Sequence, residues 1–89
     1  CKVIIYKQVL ELTQLQEFEL PEYTEILSVQ FQGTQLVMWY KFNEAVIQRK
    51  VLYEIQIVGT GQSFGQNKFN YICSVQQGPF VWHIFERSI

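Results

Sequence analysis

From Ile26 to Gln32 the chain alternates Leu27, Val29 and Phe31 with Ser28, Gln30 and Gln32, and a run of this kind constrains the fold more than any other feature of the sequence. Successive side chains of a strand point to opposite faces, so period-two alternation marks a half-buried strand and excludes an amphipathic helix. Comparable runs rich in β-branched and aromatic residues recur along the chain, separated by turn residues. Lys2 to Leu12 is the first, and Glu17-Phe18-Glu19-Leu20 is a short second one ended by Pro21, which has no N–H to give to a ladder. Gly33-Thr34 makes a hairpin turn, and Leu36 to Phe42 returns with both faces apolar. Such a strand is expected at the centre of a closed barrel or against a second copy of the chain. Val51 to Val58, Phe69 to Gln76 and Phe80 to Arg87 complete a set of seven, the last two forming a hairpin around Gln77-Gly78-Pro79. Asn43 to Lys50 reads as a loop or a single helical turn capped by Asn43. The expectation is one all-β domain over residues 1–89, a small antiparallel sandwich or barrel.

The totals bound what such a domain can do. With 89 residues the chain buries only about 60–65% of the surface its unfolded form exposes, so its core is thin. Yet 48% of its residues are hydrophobic and 16% aromatic. A monomer cannot hide so many large side chains, which predicts exposed apolar surface and a homo-oligomer. Twelve glutamines on the polar faces and a net charge of −1 leave little to repel a partner. The seven Lys and Arg residues are scattered, which disfavours nucleic acid. No apolar stretch approaches the roughly 20 residues that span a bilayer, so a soluble protein without a membrane partner is expected. The two cysteines, Cys1 and Cys73, read as free thiols in a reducing cytoplasm. A lipidated Cys1 is the alternative, but Lys2 to Tyr6 runs straight into a strand pattern, which fits removal of an initiator Met better.

Catalytic chemistry finds few residues. There is no aspartate and a single histidine, His83, and the serines show no strained elbow motif. A metal site would need several converging ligands, and none is expected. The sharpest catalytic arrangement pairs Cys73 with His83 across the last hairpin. A three-residue turn would place them opposite each other, and a four-residue turn would set Cys73 against Trp82. A strand cysteine is more often a small hydrophobe, so neither an enzyme nor a cofactor is expected.

Binding residues are easier to nominate. Gly59, Thr60 and Gly61 open the longest loop, which Lys68 closes, and glycine-rich turns can present backbone N–H groups to a phosphate. The bland alternative is a loop that needs glycine for its backbone angles. Among the aromatics Trp39, Tyr40, Phe42, Tyr53, Phe80, Trp82 and Phe85, most are expected in the core. Trp39, Tyr40, Trp82 and His83 are the ones expected at an interface or stacked on a ligand ring.

Several segments together resemble a family of small all-β proteins encoded by bacteriophages and prophages. They include Phe18-Glu19-Leu20-Pro21, Glu25 through Gln30, Ile57-Val58-Gly59-Thr60-Gly61 and the closing Gly78-Pro79-Phe80-Val81-Trp82-His83-Ile84-Phe85-Glu86. The chain departs from that pattern at Asn43 to Lys50, where the family has a proline- and acid-rich loop, and at Gln62-Ser63, where it has His-Pro. The resemblance implies an accessory protein acting in the cytoplasm of an infected bacterium. By analogy such a protein disables a host defence, by sequestering a nucleotide immune signal in an oligomer pocket or by plugging a defence protein. A minor virion component is the third option.

Overall fold

The computed structural model describes residues 2–45, 49–65 and 69–88, and every regular element among them is a strand. In chain order these are β1 (Val3–Leu10), β2 (Leu15–Pro21), β3 (Glu25–Gln32), β4 (Gln35–Asn43), β5 (Lys50–Gly59), β6 (Asn70–Gln77) and β7 (Phe80–Ser88). They form two antiparallel sheets, a three-stranded one ordered β1-β4-β3 and a four-stranded one ordered β2-β5-β7-β6. The fold class read from the alternation is therefore the one observed.

Two tight hairpins set the registers. Gly33 has φ +66°, and Gln32 pairs with Gln35 across the two-residue turn. Gly78 has φ +56°, and Gln77 pairs with Phe80. A positive φ at the first turn position followed by proline, whose ring holds φ negative, is the pattern of a type II′ turn. The turn is thus Gly78-Pro79 alone, one residue shorter than the sequence suggests. At the end of β4 the Asn43 side chain accepts the Ala45 N–H at 3.0 Å, a local turn; Val46, Ile47 and Gln48 lie outside the described residues.

The core lies between the sheets. Leu36, Met38 and Tyr40 of β4 meet Ile55 and Ile57 of β5 and Ile84 of β7, with Leu10, Leu20 and Val29 closing the cluster. Fully burying one such side chain is worth about 1.5–3 kcal/mol, which makes this cluster the main stabilising term. The alternation of β3 breaks where a bulge falls between Ile26 and Ser28. Ile26 consequently packs on the core with Val29 and Phe31, and Leu27 is left 42% exposed rather than facing inward with them. A matching bulge interrupts β6 between Tyr71 and Cys73.

The outer faces are unequal. Tyr53 through Val58 of β5 are all buried, Tyr53, Ile55 and Ile57 by the core and Glu54, Gln56 and Val58 on the outer face, where the chain after Gly59 folds back over this sheet. Phe64 packs on Phe85 at 5.2 Å between ring centroids, and Gln56 donates its amide to the Gly65 carbonyl at 3.4 Å. Glu54, also buried here, is paired with Arg87, whose guanidinium lies 4.6 Å over the Phe69 ring. On the other sheet Lys7 of β1 reaches across β4 to Gln32, and Val37 on the same face has no exposure.

Candidate functional site

Five of the nominated residues, Gly59, Thr60, Gly61, Trp82 and His83, lie together at one end of the sandwich, where β5 meets β7. Gly59 stands opposite Trp82 in the ladder, and Thr60 continues it by donating its N–H to Val81 at 3.2 Å. The Trp82 ring packs against the core and reaches out to donate its indole N–H to Gln77 at 3.1 Å. Phe80, two residues earlier on the same face of β7, stacks on it at 6.1 Å with a 29° interplanar angle. Phe80 is 60% exposed, so the pair offers an aromatic surface to solvent. With Gly59, Thr60 and Gln62 it lines a cleft of about 410 Å³. Trp82 and Gln62 also line a second cleft of about 450 Å³ with Leu12 and Gln14. Phe80 was not among the residues nominated from the sequence, and its period-two spacing from Trp82 is the signal that could have found it.

A side chain at Gly59 would crowd this junction. A Cβ built on it would lie 3.1 Å from the Trp82 ring and 3.2 Å from the Gln62 side-chain oxygen. The turn that follows is closed upon itself. Gly59 donates its N–H to Gln62 Oε1 at 2.7 Å, and the Gln62 N–H returns to the Gly59 carbonyl at 3.0 Å. With Thr60 bonded to Val81, three N–H groups of the loop nominated for phosphate are already engaged. Gly61, at φ +90°, supplies the conformation that closes the turn. This favours the turn-forming reading of its glycines over a phosphate nest.

His83 lies on the opposite face of β7 from Trp82, in a chain of hydrogen bonds. Tyr71 Oη is 2.7 Å from Ser74 Oγ, which is 2.7 Å from His83 Nδ1, and His83 Nε2 is 2.8 Å from Thr60 Oγ1. One direction lets every hydroxyl donate. Tyr71 gives to Ser74, Ser74 to Nδ1, Nε2–H to Thr60, and Thr60 to the Val81 carbonyl. Ser74 and His83 thus have the separation of a nucleophile and its base. A hydroxyl, however, occupies the far nitrogen, where a carboxylate would stabilise the imidazolium. The chain ties the start of the Gly59 loop to β6, and nothing in the sequence spacing announced it.

The cysteine and histidine do not meet. Ser74 stands opposite His83, and Cys73 stands opposite Ile84 with its side chain inward, where the thiol donates to the Val29 carbonyl of the other sheet at 3.5 Å. Burial pushes the thiol's pKa up, the reverse of what a nucleophile needs. Neither turn length considered from the sequence occurs.

Trp39 and Tyr40 belong elsewhere. Both are on β4 in the other sheet, Trp39 on its outer face between Lys7 and Ser28. Tyr40 is buried and stacks on Phe42 at 6.2 Å, with Tyr6 edge-on. Within one subunit they do not join the Gly59–Trp82 cleft. Lys68 lies outside the described residues. No group of three or more His, Cys, Asp or Glu among the described residues could hold a metal. No described helix is long and apolar enough to cross a membrane.

Fold and cleft together define a seven-stranded antiparallel sandwich with a stacked aromatic pair at one end. Over residues 2–89 the chain matches, and belongs to, the family described as Domain of unknown function (DUF7352). No curated protein matches it significantly, and no solved structure does.

Proposed function

We propose that this protein is a non-catalytic binder whose ligand enters the cleft beside Phe80 and Trp82. One observation carries the reading: two stacked rings, one of them exposed, border a cleft beside a glycine whose Cβ would crowd the indole. Stacking platforms of this kind suit a planar ring, and a base stacked on an aromatic side chain is worth about 1–3 kcal/mol. The ligand class is a cyclic or linear signalling nucleotide with its base on Phe80. Because the Gly59–Gln62 turn is closed, binding rests on the ring, and the phosphate lies toward the rim. The resemblance to phage-encoded proteins supplies the context, the capture of a nucleotide immune signal to counter host defence.

A second reading, a protein–protein inhibitor, is favoured by the exposure of Phe80, Tyr71 and Tyr23, since exposed aromatics are the usual anchors of an interface. Native mass spectrometry against a nucleotide panel separates the two. A stoichiometric adduct that Phe80→Ala weakens about tenfold supports the first. A protein that ignores the whole panel overturns it and moves the search to a protein target.

A further inference from the structure

Two sheets have four edges, and an edge strand with open backbone groups is a template for another strand. Three of the four are guarded. The β2 edge is blunted by charge and by proline. Glu22 donates its N–H to Arg49, so this ladder bonds β5 through even-numbered residues and turns Leu15, Glu17, Glu19 and Pro21 outward. The β3 and β6 edges each carry a bulge, and the two strands lie against each other.

The β1 edge has neither a proline nor a bulge. Its eight residues pair with β4 without a register shift, and they contain no proline and one charge, Lys7. Glu44 donates its N–H to the Lys2 carbonyl, opposite it in the same ladder. Hydrogen-bonded pairs alternate along an antiparallel ladder, so Lys2, Ile4, Tyr6, Gln8 and Leu10 face β4. Val3, Ile5, Lys7 and Val9 turn their N–H and C=O groups outward, the Val9 carbonyl accepting from the Gln8 side chain at 3.1 Å. The side chains of Val3, Ile5 and Val9 are exposed apolar surface, Ile5 at 57%.

We propose that β1 pairs antiparallel with β1 of a second copy, joining two three-stranded sheets into one sheet of six strands around a twofold axis. Self-complementarity fixes the occupant and the register. For the outer faces to continue into each other, an odd-numbered residue must stand opposite an odd-numbered one. One such register centres on Lys7 and puts two ammonium groups side by side, which is destabilising. A second centres on Ile5 and engages fewer outward residues. The third centres on Tyr6, sets Val3 against Val9 and Ile5 against Lys7, and uses all four outward residues of each copy for about eight hydrogen bonds. It also brings together the two Tyr6 side chains, each 49% exposed in the monomer. Pairing β1 with β2 of another copy would meet Pro21 and would build an open chain of subunits instead of a closed pair. The proposal does not depend on the ligand reading and tests separately from it.

The test is the oligomeric state with two substitutions at one residue, measured by light scattering and native mass spectrometry. The expected mass is twice 10.6 kDa for the natural protein. Ile5→Lys places a second ammonium opposite Lys7 and is expected to weaken the dimer at least tenfold, about 1.4 kcal/mol. Ile5→Glu places a carboxylate there and is expected to leave dimerisation intact. Hydrogen exchange on the unmodified protein gives a readout free of any substitution, with the Ile5 and Lys7 amides protected in the dimer. A natural protein that stays monomeric at about 100 µM overturns the proposal. So do larger assemblies, fast exchange at Ile5 and Lys7, or the same response to both substitutions.

Discussion

The Cα of Gly59 sits so close beneath the Trp82 indole that a Cβ added there would come within 3.1 Å of the ring and 3.2 Å of the Gln62 amide oxygen. Contacts that short force a neighbour to move, and Trp82 is held by the core on one side and by Gln77 on the other. Gly59→Ala is therefore expected to cost about 1–3 kcal/mol. It should also shift the indole emission and close the cleft. Chemical denaturation with tryptophan fluorescence measures both. An unchanged midpoint and spectrum would mean that Gln62 simply yields, and that the glycine is not what shapes the site.

Tyr23 carries a different kind of strain. Its φ of +64° is in the left-handed region, where side chains bearing a Cβ are disfavoured, yet it is 84% exposed. The turn is held by Thr24, whose N–H and hydroxyl both reach the Pro21 carbonyl. Tyr23→Gly is expected to relieve about 1 kcal/mol of backbone strain against a smaller entropic loss in the unfolded chain, giving a slightly raised or unchanged Tm. A clear fall in Tm would show that the ring makes a stabilising contact despite its exposure.

Alkali should act through buried hydroxyls and the half-buried thiol. Burial raises the pKa of Tyr40, of Tyr53 and of Cys73 above their ordinary values. Each group keeps its proton longer in the folded chain than in the unfolded one. Their contribution to stability is complete below the unfolded pKa and is lost as pH rises through the folded value. Stability is expected to fall from about pH 9 upward as the unfolded thiol and phenols ionise first. Tyr53→Phe should flatten part of that fall while removing the hydrogen bond to the Thr24 carbonyl, a loss of about 1 kcal/mol at neutral pH. Denaturant midpoints across the pH range decide the matter. In the native state Cys73 should also react with an alkylating reagent far more slowly than a free thiol.

The hydroxyl chain through His83 should behave as a clamp. Ser74→Ala removes the Tyr71 partner and the Nδ1 donor together, and Thr60→Val removes the Nε2 partner. At these water-accessible positions each is expected to cost about 0.5–1 kcal/mol. The double variant should cost less than the sum, because both act on one imidazole. Strict additivity would show that the two bonds are independent. Turnover of an ester substrate that Ser74→Ala abolishes would instead make Ser74 and His83 a catalytic pair.

Much of this architecture is written in local pattern. Period-two alternation and the glycine turns determined seven strands, the β3–β4 and β6–β7 hairpins and most of the inward set, because strand side chains alternate by geometry and turns need residues that tolerate positive φ. The sheet order was not legible, since only those two of the six connections join neighbouring strands. The Gly59–Gly61 segment and Trp82 were each legible as binding candidates, but only the β5–β7 pairing made them neighbours. Register was not legible either. The bulges at Leu27 and Ile72 and the two-residue turn at Gly78-Pro79 are set by cross-strand packing, and a slip of one residue moves every side chain to the other face. That slip separates Cys73 from His83 and gives His83 to Ser74. Only the assembled sheets could decide that Tyr40 stacks inside on Phe42 while Trp39 faces out, and that the chain after Gly59 buries Glu54 and Gln56. Alternation says that two faces differ, whereas burial depends on what the rest of the chain lays over each.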